Sequence, residues 1–152
     1  MRLIQPSDPR FRFIPAQAHD EAYLLALRLA TMVPHLENAG IFLTAKEHLL
    51  RLHDHYHCSH LIYCDAECIG TIKFRFNDKV FEIMQLQIHP DFQGRGFGSS
   101  ILQQVILAAG HKAVNLTVLK CNPAYQLYLR SGFNVIGEDE HEYHLSFQVN
   151  KG

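Results

Sequence analysis

Apolar residues in the N-terminal third of the chain recur first at strand spacing and then at helix spacing. Residues 11–14 alternate apolar and polar side chains, which predicts a short strand. From Ala16 to Met32 the apolar positions recur at helical intervals, and Pro34 is expected to end this helix. A second helix is predicted to begin after Thr44, because Thr44 and Glu47 have the spacing of a capping box.

The remainder of the chain is dominated by predicted strands. They cover residues 59–64, 68–76, 80–88, 114–119, 133–137 and 143–149. Two more helices are predicted over residues 98–109 and 123–130. The order βααβββαβαββ predicts an α/β domain built on a mixed sheet. No repeat or linker divides the chain, so we expect a single domain over residues 1–152.

Composition excludes several function classes. The 152 residues are 47% hydrophobic and 19% charged, as in an ordinary globular protein. A net charge of −1 gives no electrostatic footprint for nucleic acid or anionic lipid, so neither partner is expected. No apolar run is long enough to span a bilayer, and residues 1–6 lack the apolar core of a signal peptide. We therefore expect a cytoplasmic protein without a membrane partner.

A glycine-rich loop follows the strand that ends at Ile88. Gly94, Gly96 and Gly98 alternate in it, and Arg95 adds a cation. Glycine lets backbone amides approach a ligand, and the first turn of the next helix adds unpaired N–H groups, so the loop predicts a phosphate site. The Walker pattern is excluded because no lysine follows the glycines. The dinucleotide pattern is excluded by the glycine spacing and by the missing acidic residue downstream.

Two motifs resemble those of one enzyme family. Residues 93–98 read Gln-Gly-Arg-Gly-Phe-Gly and resemble the Gln/Arg-x-x-Gly-x-Gly/Ala signature of the GNAT superfamily of N-acetyltransferases. Residues 122–133 resemble the family's Asn-Pro-Ala-x-x-Leu-Tyr-x-x-x-Gly-Phe segment, in the family's order and with one helix and one strand between. The resemblance is strong over residues 82–133. It implies a GNAT-like α/β fold: a mixed, mostly antiparallel central sheet flanked by helices, with a splayed parallel strand pair at the cofactor site.

The resemblance also implies how acetyl-coenzyme A, the co-substrate, is held without a metal. The pantetheine arm would lie between the strands at 80–88 and 114–119, bound by backbone groups of Leu86, Gln87 and Ile88. The other implied cofactor-binding residues are Gln93, Gly94, Arg95, Gly96, Phe97, Gly98, Ser99 and Asn122. Asn122 can at the same time cap the helix that follows it.

Catalytic roles follow from the same resemblance. Tyr128 aligns with the family tyrosine that commonly protonates the leaving thiolate; the alternative is a buried packing residue. Glu82 stands where many relatives place a glutamate that deprotonates the amine, directly or through water; the alternative is a solvent-facing carboxylate. By strand parity Glu82 faces the same way as Leu86, unless a bulge interrupts the strand. Histidine is a common general base, but His89 precedes a turn proline, so the base stays open between Glu82, His89 and water.

The implied activity is transfer of acetyl from acetyl-coenzyme A to a primary amine, by direct attack in a ternary complex. The alternatives are a catalytically silent coenzyme A-binding module and an acyltransferase that uses a longer acyl group. The acceptor, a small molecule or a peptide amine, is not identified by the sequence. Dimers are common in the family, so a homodimer is left open.

A histidine-rich stretch at residues 53–60 suggests metal binding at first sight. Its i, i+2 spacing suits neither one helical face nor a known zinc pattern. No metal is expected, and the stretch is interpreted as a solvated helix end or as a wall of the acceptor site.

Overall fold

The predicted strands assemble into one seven-stranded sheet in the computed structural model, which describes Ile4 and residues 6–149. The strands are β1 (Phe11–Pro15), β2 (Ser59–Cys64), β3 (Glu67–Phe76), β4 (Val80–Ile88), β5 (Ala113–Leu119), β6 (Asn134–Glu138) and β7 (Glu142–Phe147). Their order in the sheet is β1-β2-β3-β4-β5-β7-β6. Neighbouring strands run antiparallel except β4 and β5, which are parallel. The predicted mixed, mostly antiparallel sheet is thus confirmed.

Within residues 6–149, four α-helices flank the sheet. They are α1 (Glu21–Asn38), α2 (Ala45–His53), α3 (Phe97–Ala109) and α4 (Ala124–Arg130). Short 3-10 turns lie at Ala18–Asp20, Tyr56–Cys58 and Pro90–Phe92. Among the described residues, no helix combines the length and the apolar character that crossing a membrane would need.

The ends of the first two helices test the sequence signals for starting and stopping a helix. The capping box is confirmed: the Glu47 amide donates to Thr44 Oγ1 at 3.2 Å, and the Thr44 amide donates to Glu47 Oε1 at 3.0 Å. The predicted stop at Pro34 is wrong, because α1 continues through it to Asn38. The proline lacks an N–H to donate, but Leu36 in the last turn is buried, and burial of this kind stabilises a helix beyond its own hydrogen bonds.

Two apolar clusters lie on the two faces of the sheet. The larger one joins Ile72 and Ile83 of the sheet to Ile101 and Leu102 of α3 and to Tyr128 of α4. The smaller cluster packs Leu24 of α1 and Leu52 of α2 against Leu61 of β2. The helices α1 and α2 therefore cover one face, and α3 and α4 cover the other.

The strands β4 and β5 separate soon after they begin. Their pairing runs from Val80↔Ala113 to Glu82↔Asn115, whereas β4 continues to Ile88 and β5 to Leu119. The sheet thus opens in its middle, as the predicted splayed strand pair requires.

A β-bulge lies in β4 at the point where the strands separate. Lys73 pairs with Gln85 and Phe74 pairs with Ile83, so Met84 is an extra residue in β4. The bulge reverses the parity of the strand. Since alternate residues of β3 share a face, Glu82 lies on the face of Gln85 and not on that of Leu86, contrary to the parity expected without a bulge.

Gly70 of β3 provides a test of how closely β3 and β4 approach beside the opening. A Cβ at Gly70 would overlap the carbonyl oxygen of Gln87, whereas a Cβ at Gly137 of β6 would lie 3.8 Å from the nearest atom of His144. We expect Gly70→Ala to lower the free energy of unfolding by at least about 2 kcal/mol, because backbone must move to admit the methyl group. Urea unfolding measures the difference.

Gly137→Ala is the matched control, since it adds the same methyl group to a strand without overlap. Its stability should stay within about 1 kcal/mol of the original protein. Equal stabilities of the two variants would contradict the close approach at Gly70.

Candidate functional site

The opening between β4 and β5 leads into a cavity of about 590 Å³. Its walls are residues 84–88 of β4, residues 117–119 of β5, the loop before α3, the start of α3, and residues from α1 and α4. Most of the site residues implied by the sequence meet here. They are Leu86, Gln87, Ile88, Gln93, Gly94, Gly96, Phe97, Gly98, Ser99, Asn122 and Tyr128.

Backbone groups of β4 face the opening at alternate residues. The His89 amide donates to the Ile69 carbonyl at 2.8 Å, so the neighbouring pair Gly70↔Ile88 is one whose backbone groups point away from each other. By the same alternation, Leu86 and Ile88 direct their backbone groups toward β5, whereas Gln87 directs its own toward β3. The structure therefore leaves Leu86 and Ile88 available to a ligand. The expectation for the Gln87 backbone is corrected, and only its side chain reaches the cavity.

The glycine loop presents a row of free amides to the cavity. Gly94 and Gly96 adopt φ angles of 76° and 80°, which favour glycine, and each has open space where a Cβ would stand. The amides of residues 94–99 make no backbone hydrogen bonds among the described residues, and the first backbone bond of α3 is from Ser100 to the Gly96 carbonyl at 3.1 Å. Five of these N–H groups belong to residues that line the cavity, Gly94 and residues 96–99, and we call these five the amide cradle. With the positive end of α3 behind it, the cradle suits an anion such as a phosphate.

Gly98 has a different role from the other two glycines. A Cβ at Gly98 would lie 2.8 Å from Leu127 Cδ2, so its small size lets α3 pack against α4. The loop glycines thus divide between backbone conformation and helix packing.

Gln93 and Arg95 occupy different places relative to the cavity. Gln93 Nε2 donates to the Ile88 carbonyl at 2.9 Å, which joins the loop to the end of β4. Arg95 does not line the cavity; its guanidinium lies 5.4 Å from the centre of the Phe92 ring. Arg130 at the end of α4 lines the cavity instead. The predicted cation of the loop is therefore outside the cavity wall.

Asn122 lies where α4 begins. Its Oδ1 accepts a hydrogen bond from the Ala124 amide at 2.9 Å, which is the capping role. Its Nδ2 makes no hydrogen bond to a described residue, and Asn122 lines the cavity. The capping role thus leaves the amide donor available to a ligand.

Tyr128 lines the cavity from α4 while its ring is buried. The ring packs edge-on against Phe133 at a centroid distance of 5.8 Å. The hydroxyl makes no hydrogen bond to a described residue. Burial raises the pKa of Tyr128 to about 12, so the phenol keeps its proton at neutral pH.

Neither base predicted from the sequence lines the cavity. Glu82 is half-exposed and forms an ion pair with Arg75, the residue opposite it on β3. His89 lies at the turn after β4, where its Nδ1 accepts a hydrogen bond from the Asp91 amide at 3.1 Å. Both side chains are thus engaged outside the cavity.

Several polar residues that the sequence reasoning missed also line the cavity. They are Arg28, Thr31 and His35 of α1, Arg51 of α2, Gln85 of β4, Thr117 of β5, Arg130 of α4 and Glu142 of β7. One signal for Arg28 was present in the sequence: it follows Leu24 by four residues, so it lies within the apolar stripe of α1. Glu142 has no comparable local signal, because it reaches the cavity only through the pairing of β5 with β7.

Part of the histidine stretch comes together outside the cavity. The ligand atoms of His55, His57 and Cys58 all lie within 4.8 Å of one another. The helix-face argument does not apply to them, since α2 ends at His53 and a 3-10 turn follows. Arg75 Nη1 lies 3.4 Å from His55 Nε2, and this cation disfavours a metal ion there. The absence of a metal stays a prediction.

The comparisons with known proteins agree with this architecture. The sequence model of the acetyltransferase (GNAT) family matches residues 20–133. No curated protein sequence matches the chain.

Solved structures resemble the chain over nearly its whole length. PaiA N-acetyltransferase from Thermoplasma acidophilum, in complex with coenzyme A, is 16% identical with a TM-score of 0.68, covering 91% of this chain and 99% of that one. Naa50 from Arabidopsis thaliana, in complex with the bisubstrate analogue CoA-Ac-MVNAL, is 18% identical with a TM-score of 0.66, covering 92% and 99%. An acetyltransferase from Thermus thermophilus is 14% identical with a TM-score of 0.72, covering 97% and 100%. Identities this low support the fold alone.

Proposed function

Since the chain belongs to the acetyltransferase (GNAT) family, we propose that it transfers the acetyl group of acetyl-coenzyme A to a primary amine by direct attack in a ternary complex. The observation that carries this proposal is the continuity of two features. The amide cradle suits a pyrophosphate, and it opens directly onto the backbone groups of Leu86 and the backbone amide of Ile88, which point away from β3; the Ile88 carbonyl accepts from Gln93 Nε2. An arm containing amides can pair with such a strand edge as a further strand would.

The residues fit coenzyme A at three places in the cavity. The cradle would bind the pyrophosphate, and the backbone groups of Leu86 and Ile88 would bind the pantetheine arm. Asn122 would donate from its Nδ2 to the same arm. Two proteins of similar fold support this assignment. The one from Thermoplasma acidophilum is in complex with coenzyme A, and the one from Arabidopsis thaliana is in complex with a coenzyme A bisubstrate analogue.

In the proposed transfer step, a C–N bond replaces the C–S bond of the thioester. The neutral amine attacks the thioester carbonyl carbon, so that a C–N bond forms and the C–S bond breaks. The sulfur leaves as a thiolate and takes the proton of the Tyr128 hydroxyl, which solvent later restores. The backbone N–H of Leu86, which points away from β3, stabilises the developing oxyanion. Because burial holds the pKa of Tyr128 near 12, this phenol is fully protonated when the thiolate forms.

Glu142 is proposed as the group that accepts the amine proton. It is the one carboxylate among the described residues that lines the cavity. Glu82 lies outside the cavity and is paired with Arg75, so it could act only through intervening water. This assignment replaces the expectation from sequence, which named Glu82, His89 or water.

The cradle is tested by replacing Gly96 with valine. Gly96 lines the cavity and has a φ of 80°, which valine rarely adopts, so the substitution would distort the loop. The added side chain would also obstruct the pyrophosphate. We expect Gly96→Val to weaken coenzyme A binding at least about tenfold, measured by calorimetry.

Gly40→Val is its matched control, because Gly40 also has a φ of 80° and open space around it but does not line the cavity. Both variants should lose similar stability from the left-handed backbone, about 1–2 kcal/mol. Equal coenzyme A affinity in the two folded variants would remove the cradle from the proposal.

The general acid is tested by Tyr128→Phe, which keeps the ring and removes the proton. Thiol release from acetyl-coenzyme A with a panel of primary amines should fall by about 10²-fold in this variant. Coenzyme A affinity and melting temperature should stay close to those of the original protein.

Tyr125→Phe is the control, since Tyr125 lies on the same helix, stacks on Tyr143 and does not line the cavity. It should keep full turnover. Full turnover in Tyr128→Phe would show that another group or solvent supplies the proton. No thiol release from the original protein with any amine would reject the transferase proposal itself.

The base is tested by comparing Glu142→Gln with Glu82→Gln. Loss of the cavity carboxylate should reduce kcat/KM most at low pH, where the amine is protonated, with recovery as the pH rises toward the pKa of the amine. Glu82→Gln removes an exposed ion pair, which solvent screens strongly, and should leave the pH profile unchanged. The opposite result would return the role to Glu82.

A further inference from the structure

Positive charge gathers at the end of the cavity under α1 and α2. Arg28 and Arg51 line this end together with Gln85 of β4. A second cavity of about 400 Å³ adjoins it, sharing Arg51, Met84 and Gln85 and adding Lys73 of β3 together with Leu50 and Asp54. The amide cradle lies elsewhere along the same cavity, at the start of α3.

Arg28 is buried without a counterion. The residue is only 1% exposed, and no carboxylate of a described residue lies within 4 Å of its guanidinium. Its Nε donates to His48 Nδ1 at 3.2 Å, and its Nη1 contacts Met32 Sδ at 3.4 Å. His48 can accept that bond only as neutral imidazole, so neither partner offsets the charge. A thioether is also a weak acceptor, which leaves the guanidinium with unused donor capacity.

The neighbouring cations make the position of Arg28 still less favourable. Burial, and then repulsion from Arg51, lowers the pKa of Arg28. Burial and repulsion from Arg28 lower the pKa of Lys73, whose Nζ donates to the carbonyls of Leu52 at 3.2 Å and Asp54 at 2.7 Å. An isolated buried cation is strongly disfavoured unless an anion pairs with it. Asp54 lines the adjoining cavity and acts to raise the pKa of Lys73, but no carboxylate of a described residue forms an ion pair with Arg28.

A second observation points to a ligand at the same wall. Gln87 is 7% exposed and lines the cavity, and its Nε2 is buried without a hydrogen-bond partner among the described residues. Gln87 pairs with Thr71, and Gln85 pairs with Lys73. Because Thr71 and Lys73 are alternate residues of β3, Gln87 lies on the same face of the sheet as Gln85 and Lys73. A buried amide donor without an acceptor is rare in folded proteins. The cavity wall thus offers unpaired positive charge and an unused donor together.

We propose that the amine acceptor carries an anionic group, a carboxylate or a phosphate, which binds the guanidinium groups of Arg28 and Arg51. This inference rests on the proposed acetyl transfer. A guanidinium binds either anion through two parallel hydrogen bonds, and the low exposure of Arg28 strengthens the attraction. Glu142 on β7, proposed above as the proton acceptor, also lines the cavity, and it suits the amine end of such a molecule.

The first test compares matched acceptors with and without the anionic group. The pairs are 4-aminobutyrate with its amide, L-glutamate α-amide with L-glutamine α-amide, and phosphoethanolamine with ethanolamine, assayed by thiol release from acetyl-coenzyme A. Calorimetry with the coenzyme A-loaded protein measures binding of the same compounds without requiring turnover. We expect the anionic member of at least one pair to be favoured at least about tenfold, and the favoured pair identifies carboxylate or phosphate.

The exposed arginine provides the variant for this comparison. Arg51→Gln should lose the preference for the anionic acceptor while the KM for acetyl-coenzyme A stays unchanged. Arg12→Gln is the control, because Arg12 of β1 lies over the ring of Tyr63 of β2 and does not line the cavity. Turnover or binding that is equal for both members of every pair overturns this inference. If no amine gives thiol release, the transferase proposal is rejected. The anion-binding inference is then still tested by calorimetry, which compares binding of the anionic and neutral members of each pair without requiring turnover.

The second test is independent of the acceptor's identity. If Arg28 is kept for a ligand, Arg28→Met should leave the melting temperature of the ligand-free protein unchanged or raise it, because an uncompensated buried charge is replaced by an apolar chain of similar length. A lower melting temperature would show that Arg28 is structural and would overturn its part in anion binding.

Discussion

The separation of β4 from β5 after Glu82 is the constraint on which the rest of the structure depends. A parallel pair in the middle of a sheet would normally continue its ladder, because buried backbone groups without partners are costly. Here the bulge at Met84 turns β4 away as the pairing ends. Leu86 and Ile88 consequently present backbone groups to a cavity, and the rest of the sheet must keep the two strands apart.

The neighbouring elements fix this open geometry from both sides. The pairing of β3 with β4 is so close at Gly70 that a methyl group cannot fit, and it fixes β4 up to the end of the cavity wall. On the other side, β5 is paired with β7 from Val114 to Leu119, which prevents it from closing onto β4. Gly98 lets α3 pack against Leu127 of α4, so the free amides at the start of α3 are held in place. Rigid surroundings thus preserve an opening that a ligand can fill.

Electrostatics divide the cavity into regions with different chemistry. The amide cradle offers partial positive charge from backbone groups, which suits an anion without introducing a side chain. Arg28 and Arg51 place full charges on the opposite face of the sheet opening, under α1 and α2. Tyr128, the proposed proton donor, also lines this cavity, and burial raises its pKa from 10 to about 12, further above neutral pH. Groups of different charge and polarity therefore line a single connected cavity.

Local sequence patterns determined most of the secondary structure, the glycine loop and the Asn122–Tyr128 segment, because each depends on residues close together in the chain. The capping box of Thr44 and the left-handed glycines of the loop are of this kind. Only the tertiary structure decided which side chains reach the cavity. The bulge at Met84 changed the face of Glu82, and strand pairing brought Glu142 to the site. The helix α1 continues past Pro34, although a proline usually ends a helix. Only the folded structure shows that the guanidinium of Arg28 is bonded to His48 and has no carboxylate partner among the described residues. These outcomes depend on contacts between residues far apart in the chain, which the spacing of residues along it does not encode.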